Sequence, residues 1–355
     1  MFRNISRRKK KLMLGIVFLL LAALAVVAFL LFSRFERGLD TAPDGAGEAP
    51  HRHIGEKTDS SNAEKSGTED DERATVYFNG QKYVYREDLS ALLILGIDDP
   101  ELKETEASRN SSQADMLMLA VFDPKKQICT FLQLNRDTMC EVQSLDTFGK
   151  PIGYNIQQLA LAHTYGNGLE KSCENTVDTV SRLLYGVKID NYFAFTMDAI
   201  PILNDLVGGV TVTVEDDFSN VDPTLVKGET VRLTAENVEH FVRTRREITE
   251  DPTNVNRMRR QAVYLRGLTE EMKRAYAEDD AFVLNAYSAL ADSLVTDCTV
   301  DELSAYADRF SGYALAGIVT PEGEAVGGEK YMEFYVDEAA LQQLVIDLFY
   351  TVVTD

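Results

Sequence analysis

The sequence predicts an α/β protein, a mixed central β-sheet sandwiched by helices, carried behind one N-terminal transmembrane helix. Three observations lead there. Short continuous apolar runs, the mark of strands buried on both faces, recur through the chain. Stretches of helical period lie between them, and that alternation is the signature of an α/β body. Residues 12–32 form a single apolar block with no charge and no proline.

The elements follow in chain order. Residues 1–11 carry Arg3, Arg7, Arg8, Lys9, Lys10 and Lys11 and no acid. Residues 12–32 read LMLGIVFLLLAALAVVAFLLF. At about 1.5 Å per residue this block spans roughly 30 Å, the hydrocarbon thickness of a bilayer. A basic flank stays cytoplasmic, so the body is expected outside, held to the cell membrane by one pass. A cleaved signal peptide is the weaker reading, because the apolar block is long and Ser33-Arg34-Phe35-Glu36-Arg37 is a poor cleavage site. Residues 33–74 are rich in Gly, Ser, Asp and Glu without hydrophobic period, and read as a disordered linker. The linker also accounts for His51 and His53. Residues 75–85, TVYFNGQKYVY, alternate about Asn79-Gly80 and predict a hairpin, an accessory unit over 75–88.

The main body is expected over 89–278. Residues 91–97, 116–122 and 128–134 are strands. The last two are joined by the turn Asp123-Pro124-Lys125-Lys126, so they run antiparallel. Helical periods cover 156–165, 176–184, 199–207 and 255–277, with a further helix over 234–243 capped by Thr234. Residues 191–196 and the β-branched run 210–214 are strands. Residues 279–355 repeat the theme, with helices at 281–294 and 300–310, a strand at 332–336 and a helix at 337–351. They read as an α/β extension packed on the body.

The net charge of the chain is −21, and every acidic residue lies after the basic start. An acidic body argues against nucleic-acid binding, which needs a positive field. The four cysteines, Cys129, Cys140, Cys173 and Cys298, have neither CxxC nor metal-ligand spacing. An outward body permits disulfides; Cys140 with Cys173 is the favoured pair, and buried thiols are the alternative.

Candidate chemistry gathers at one end of the sheet. Asp98 ends the first strand, Asp115 opens the second, and Arg136 and Asp137 end the third. Two carboxylates at one edge repel unless a proton or cation lies between them. Magnesium suits such a pair, since it takes one or two carboxylates and completes its shell with water and phosphate oxygens. Strand-end acids facing water are the alternative. Arg243, Arg245, Arg246, Arg257, Arg259, Arg260 and Arg266 cluster in an otherwise acidic chain. Arginine's planar fork grips phosphate in two places, so the choice of arginine points to phosphate. Arg257, Arg260, Gln261 and Tyr264 share one helix face by their spacing. A solvated face paired with Glu270 and Glu271 is the other reading. His163 and His240, the histidines of the body, belong to no nucleophile pattern. The chain lacks a G-x-S-x-G elbow, a Walker loop and a G-x-G-x-x-G after a strand.

Several segments in order carry a family resemblance: LLILGID (92–98), ADMLMLAVFDP (114–124), LQLNRDT (132–138), NDLVGGVTVTV (204–214), KGETVRLTAENVEHFVRTR (227–245) and NRMRRQ (256–261). By these the body resembles the LytR–CpsA–Psr proteins of bacterial cell envelopes. The resemblance implies a magnesium-dependent phosphotransferase, with manganese as a substitute metal. Such an enzyme moves a glycopolymer, teichoic acid or capsule, from a polyprenyl-pyrophosphate carrier to peptidoglycan. Carried over by position, Asp98 and Asp115 would hold the metal. Arg136, Arg243, Arg245 and Arg257, with Gln261, would grip the pyrophosphate. Asp98 is the candidate to activate the acceptor hydroxyl, and the lipid tail would lie in an apolar tunnel between sheet and helices. Asp98, Asp115, Arg136 and Arg257 are thus the expected catalytic group. Three positions depart from the family pattern. Gln113 stands where an arginine is common, with Arg109 a candidate replacement. Asn135 stands for a proline, and Asn254 for an acid. The rival functions are hydrolysis of the lipid-linked precursor and a non-catalytic regulator that binds polyprenyl phosphate.

Overall fold

The computed structural model describes residue 54 and residues 75–353, except 107, 246–247, 249–252, 280–281, 300–301, 303–305, 307–308, 310–312 and 330. The expected membrane block, its basic flank and nearly all of the linker lie outside the described residues. Among the described residues no helix is long and apolar enough to cross a membrane.

In chain order, β1 (Thr75–Phe78) and β2 (Gln81–Tyr85) form the hairpin. Asn79 and Gly80 take φ of 49° and 73°, as a two-residue hairpin turn requires. β3 (Ser90–Ile97), β4 (Ala114–Asp123) and β5 (Ile128–Leu134) follow, then the hairpin β6 (Met139–Leu145) and β7 (Pro151–Gln158). Next come α1 (Glu170–Leu183), β8 (Asn191–Phe195), α2 (Ala199–Leu206), and the short pair β9 (Thr211–Thr213) and β10 (Thr230–Arg232). α3 (Val238–Arg243), α4 (Val255–Glu278), α5 (Phe282–Leu290), β11 (Leu294–Thr296) and β12 (Ala314–Val319) continue the chain. β13 (Gly323–Gly327), β14 (Met332–Val336), α6 (Glu338–Phe349) and β15 (Tyr350–Val352) close it.

The central sheet has the order β11-β8-β3-β4-β5-β12. It is mixed. β3–β4, β4–β5 and β8–β11 are antiparallel, and β3–β8 and β5–β12 are parallel. Strand side chains alternate between faces. Leu92, Ile94, Met118 and Phe193 therefore meet Leu203, Phe241, Tyr264 and Leu268 of the helices on one side. Leu93, Leu95, Leu117 and Leu119 meet Val180, Leu183, Val345 and Phe349 on the other. Each such fully buried side chain contributes about 1.5–3 kcal/mol. Both faces are covered, which is why β3 to β5 read as unbroken apolar runs.

The structure corrects several expectations. Residues 156–165 are not one helix: β7 runs to Gln158, and a 3₁₀ turn covers Leu159–Thr164. The apolar spacing that suggested a helix straddles that junction, and the antiparallel ladder with β6 claims the first half. α3 starts at Val238 after Asn237, not at Thr234, whose carbonyl instead accepts from Val238 N at 3.0 Å in the turn before it. The helix expected over 281–294 stops at Leu290, and Leu294 opens β11. The helix expected over 300–310 falls largely outside the described residues. The tail does not simply pack on the body: β11 and β12 form both edges of the central sheet, and β15 joins the hairpin strand β2. None of the four cysteines is in a disulfide; all are buried. Cys140 lies in β6, while Cys173 lies in α1 with its Sγ 3.9 Å from His163 Nε2.

Two buried polar contacts tie the layers. Arg86, just after β2, donates to both carboxylate oxygens of Asp123 at 2.6 and 2.8 Å. The Arg86 guanidinium holds that carboxyl well below the usual range. His163 bonds the Ser112 carbonyl through Nδ1 at 2.9 Å, and burial pulls its pKa down to about 4.

Candidate active site

The site is built where β3 ends and β4 begins. Gly96 pairs with Met116 and Ile97 with Ala114, so Asp115 is the extra residue of a β-bulge. A bulge at a sheet rim re-aims a side chain, and here it turns a carboxylate out of the ladder. Asp98 N donates to the Gln113 carbonyl at 2.8 Å, which holds Asp98 at the same rim. After β5 the chain turns through Asn135-Arg136-Asp137-Thr138. Thr138 N donates to the Asn135 carbonyl at 3.0 Å, and Asp137 N to the Asn135 side chain at 3.0 Å. That turn presents Arg136 to the rim.

Arg136 and Arg257 clamp Asp115. Arg136 donates one Nη to Asp115 Oδ1 and the other to Gln113 Oε1. Arg257 donates Nη1 to Asp115 Oδ2 at 2.8 Å and Nε to Asn254 Oδ1 at 2.7 Å. Asn254 in turn donates to Asn135 at 3.3 Å, so the start of α4 is splinted to the β5 turn. Arg257 is only 6 % exposed, and burial, with Arg136 and Arg245 nearby, lowers its pKa. Arg243, the last residue of α3, donates to Asp98 at 2.9 Å and Glu239 at 3.1 Å. Arg245 lies 3.6 Å from Asp137, and Arg136 Nε 3.5 Å from it. Asp137 is 3 % exposed, and burial raises its pKa against the pull of Arg136 and Arg245. Four guanidiniums thus meet four carboxylates, Asp98, Asp115, Asp137 and Glu239.

All the residues expected at the site are near this rim. Gln261 lies one turn beyond Arg257 and accepts from Gln133 at 3.5 Å. Sequence reasoning placed Asp137 at this end of the sheet but gave it no role; it pairs with Arg136 and Arg245 in the charge network. It also missed that Gln113, Asn135 and Asn254 bond to the cluster; neutral amides carry no distinctive pattern. The rest of the arginine cluster divides. Arg260 donates to the carbonyls of Phe241 and Thr244 and pairs with Asp216, so it anchors the segment that carries Arg243 and Arg245. Arg259 pairs with Glu215 and Asp216, both at 2.8 Å. Arg246 lies outside the described residues. Arg109, the candidate replacement for an arginine at position 113, is engaged elsewhere. Its guanidinium sits over the Tyr165 ring, 4.7 Å from the centroid.

Beneath the clamp lies an apolar cavity of about 110 Å³ between the sheet and α2 and α4. Ile94, Met118, Phe195 and Leu203 line it, with Asp115, Arg243 and Arg257 at its charged end. Asp98 and Asp115 form a two-carboxylate donor set at one rim, and among the described residues no group of three metal-ligating side chains gathers. Two carboxylates fit magnesium that completes its shell with water and phosphate, and do not fit an all-protein cage.

Comparison with known proteins bears on the family and the fold. Residues 53–347 match the LytR_cpsA_psr family. The chain is 26% identical over 263 residues to a polyisoprenyl-teichoic acid–peptidoglycan teichoic acid transferase, TagU, of Halalkalibacterium halodurans, covering 72% of this chain and 78% of that one. It is 26% identical over 237 residues to TagV of Bacillus subtilis, covering 65% and 55%. Among solved structures, TagT bound to LI-WTA superposes with a TM-score of 0.56 at 19% identity, covering 74% and 90% of the two chains. Bacillus subtilis TagV gives 0.55 at 22%, covering 73% and 95%. These likenesses carry the mixed α/β fold, and the match over 53–347 carries the family: the chain belongs to the LytR_cpsA_psr family.

Proposed function

We propose that this family member is a membrane-anchored phosphotransferase that moves a glycopolymer from a polyprenyl-pyrophosphate carrier to peptidoglycan. The observation that carries the reading is the Asp115 carboxylate clamped by Arg136 and Arg257 at the mouth of an apolar cavity. A lipid-linked pyrophosphate is apolar at one end and doubly anionic beside it, and this surface offers the same two environments in the same order. The activity for which the TagU relative is named, transfer of polyisoprenyl-linked teichoic acid to peptidoglycan, supports the same reading.

The chemistry follows from the residues. The acceptor hydroxyl attacks the phosphorus that bears the polymer. The bond from that phosphorus to the bridging oxygen breaks, polyprenyl phosphate leaves with the electron pair, and a phosphodiester remains on the acceptor. Arg136, Arg257, Arg243 and Arg245 bind and orient the phosphates, and their charge is worth most where water is excluded. Asp98, 44 % exposed at its side chain, is the carboxylate best placed to take the hydroxyl proton. Asp98 and Asp115 would hold a magnesium ion, which when bound would neutralise charge on the phosphate oxygens. No protein nucleophile is needed. The cavity is small beside the roughly 300–1,000 Å³ of typical ligand pockets, so seating a polyprenyl chain requires α2 and α4 to part.

The test uses the full chain in detergent with lipid-linked donor and peptidoglycan. Transfer is expected with magnesium, to be lost with chelator, and to fall at least a hundredfold in Asp115→Asn and Arg136→Ala. Polymer released to water at the rate of transfer would favour the hydrolase. Turnover undiminished in both variants would overturn the site.

A further inference from the structure

The β6–β7 hairpin leaves an apolar stripe uncovered. Phe148 is 87 % exposed, Ile152 66 % and Ile156 61 %. Among the described residues these are the only exposed side chains of the Phe, Leu, Ile and Met types. Apolar residues scattered singly over a surface need no partner, but a set grouped on one element marks an interaction surface. The inner face of the hairpin is already used, since Cys140 and Val142 pack into the core beneath it.

The turn is built to present Phe148. The Asp146 carboxylate accepts from Phe148 N at 2.8 Å and from Lys150 N at 2.9 Å. Asp146 N donates to the Lys150 carbonyl at 2.8 Å, and Gly149 takes the φ of 78° that closes the loop. These bonds fix the turn with the Phe148 ring in solvent.

Charge and tether indicate what covers the stripe. The chain has a net charge of −21, yet residues 147–169 contain no Asp or Glu, and Lys150 follows Phe148 by two residues. Glu141, cross-strand from Ile156, lies 4.0 Å from Arg182. An aromatic ring and two branched side chains with a lysine at their edge suit the headgroup–acyl boundary of an anionic bilayer. The apolar block 12–32, read above as the anchor, sets a bilayer at the far end of residues 33–74, and a flexible chain of that length spans about 35 Å. Such a tether raises the effective concentration of the surface at the hairpin, so a contact of three side chains can hold.

The stripe is also joined to the clamp. β7 carries Ile152 and Ile156 and runs into the turn that presents Arg136. Leu159 N donates to the Thr138 carbonyl at 2.8 Å, Ala160 N to the Arg136 carbonyl at 3.0 Å, and the Gln158 side chain to Asp137 at 2.9 Å.

We propose that this hairpin is a membrane-docking element: Phe148, Ile152 and Ile156 enter the outer face of the bilayer and hold the clamp beside it. The proposal rests on the membrane-anchored transferase reading, and its test separates the two. The chain has no tryptophan, so Phe148→Trp makes one tryptophan the sole reporter. The full chain is reconstituted in phosphatidylglycerol–phosphatidylcholine vesicles, with or without brominated acyl chains, in the absence of donor and acceptor. Val226→Trp is the control, because its neighbour Leu225 packs on the opposite side of the central sheet from Val142 of β6. Brominated lipid is expected to quench the Phe148→Trp emission at least twofold and to leave the Val226→Trp emission unchanged. Equal quenching at both positions, or none at Phe148→Trp in a chain that floats with the vesicles, overturns the docking. Emission that shifts to the blue with protein concentration and is not quenched assigns the stripe to a second copy of the chain, and overturns it too. Phe148→Ser/Ile152→Ser/Ile156→Ser, all at exposed positions, should raise the KM for vesicle-borne donor at least tenfold and leave turnover of a short-chain, water-soluble donor within about twofold; an unchanged KM overturns the role in bringing the clamp to the donor. A chain quenched at Phe148→Trp that turns over no donor upholds the docking and sinks the transferase reading. A chain that does not float with the vesicles sinks the anchor and the docking with it.

Discussion

Arg257→Met separates catalysis from stability. Arg257 is nearly buried, donates to Asp115 and Asn254 at 2.8 and 2.7 Å, and lies near Arg136 and Arg245. Breaking an isolated buried ion pair costs about 3–5 kcal/mol, because the partner is left charged and alone. Asp115 is not left alone here, since Arg136 holds its other oxygen. The variant loses charge-assisted bonds of about 1.5–3 kcal/mol each. It regains the desolvation of a guanidinium and the repulsion from two others, and methionine fills the space flexibly. The net change in stability should stay within about 1–2 kcal/mol. Catalysis has no such offset: losing a preorganised donor to the reacting charge costs about 10²–10³ in rate, or roughly 2.7–4 kcal/mol. The assays are kcat/KM for transfer, and urea unfolding with the slope checked for constancy. A loss of stability above about 3 kcal/mol would make Arg257 a structural residue. Activity within threefold of the unaltered chain would remove it from the site.

Asp123→Ala should have the opposite profile. Arg86 keeps Asp88 as a partner, so the loss stays below that of an isolated buried pair, at about 1.5–3 kcal/mol, read by denaturant midpoint, while kcat holds in the folded fraction. Because the folded pKa of Asp123 lies below its unfolded value, the pair stabilises above about pH 4 and fades as pH falls further; unfolding against pH in the variant should lack that acid limb. His163 is also depressed, to about 4 from 6.5, so neutral histidine stabilises the fold above pH 6.5. Between pH 6.5 and 4 about 3 kcal/mol should be lost, and His163→Phe should flatten that slope. Gln113→Arg sets a second guanidinium against Arg136, and Asn254→Asp faces an acceptor toward Asn135. Each should lower kcat/KM about tenfold, and the double variant should recover with a coupling above about 1 kcal/mol; strict additivity would refute the linkage.

The legible part of the fold is the part whose burial is symmetric. β3, β4 and β5 are covered on both faces, so their apolar runs needed no partner to be recognised. β12 is equally part of the sheet, yet its run is short, broken by Gly317, and pairs in parallel with a strand far away in sequence. Nothing local encodes that partner. The junction at Gln158 failed for the converse reason: a helical spacing was present, but the β6 ladder outweighed it. At the site, Asp98, Asp115 and Arg136 were legible because strand ends converge once the β4–β5 turn is known. The bulge that turns Asp115 outward was not, since a one-residue register shift leaves no mark in composition. Nor could composition sort the arginines. Arg257 and Arg260 lie one turn apart on α4, yet one reaches a rim carboxylate and the other two backbone carbonyls.

The departures from the family pattern are not independent defects, because the structure joins them in one network. Gln113 accepts from Arg136, Arg136 and Arg257 share Asp115, and Arg257 leads through Asn254 to Asn135. Relative to the pattern, Gln113 removes one positive charge and Asn254 removes one negative charge. The net charge facing a phosphate is therefore preserved, although each change alone would shift it. The proline position now holds Asn135, whose side chain accepts from Asn254 and from Asp137 N, a bond that proline could not make. Helix and turn are linked here by two amides, Asn254 donating to Asn135. Charge-neutral links of this kind are cheap to bury when fully hydrogen-bonded, so Asn254 and Asn135 hold Arg257 in place without a further buried charge.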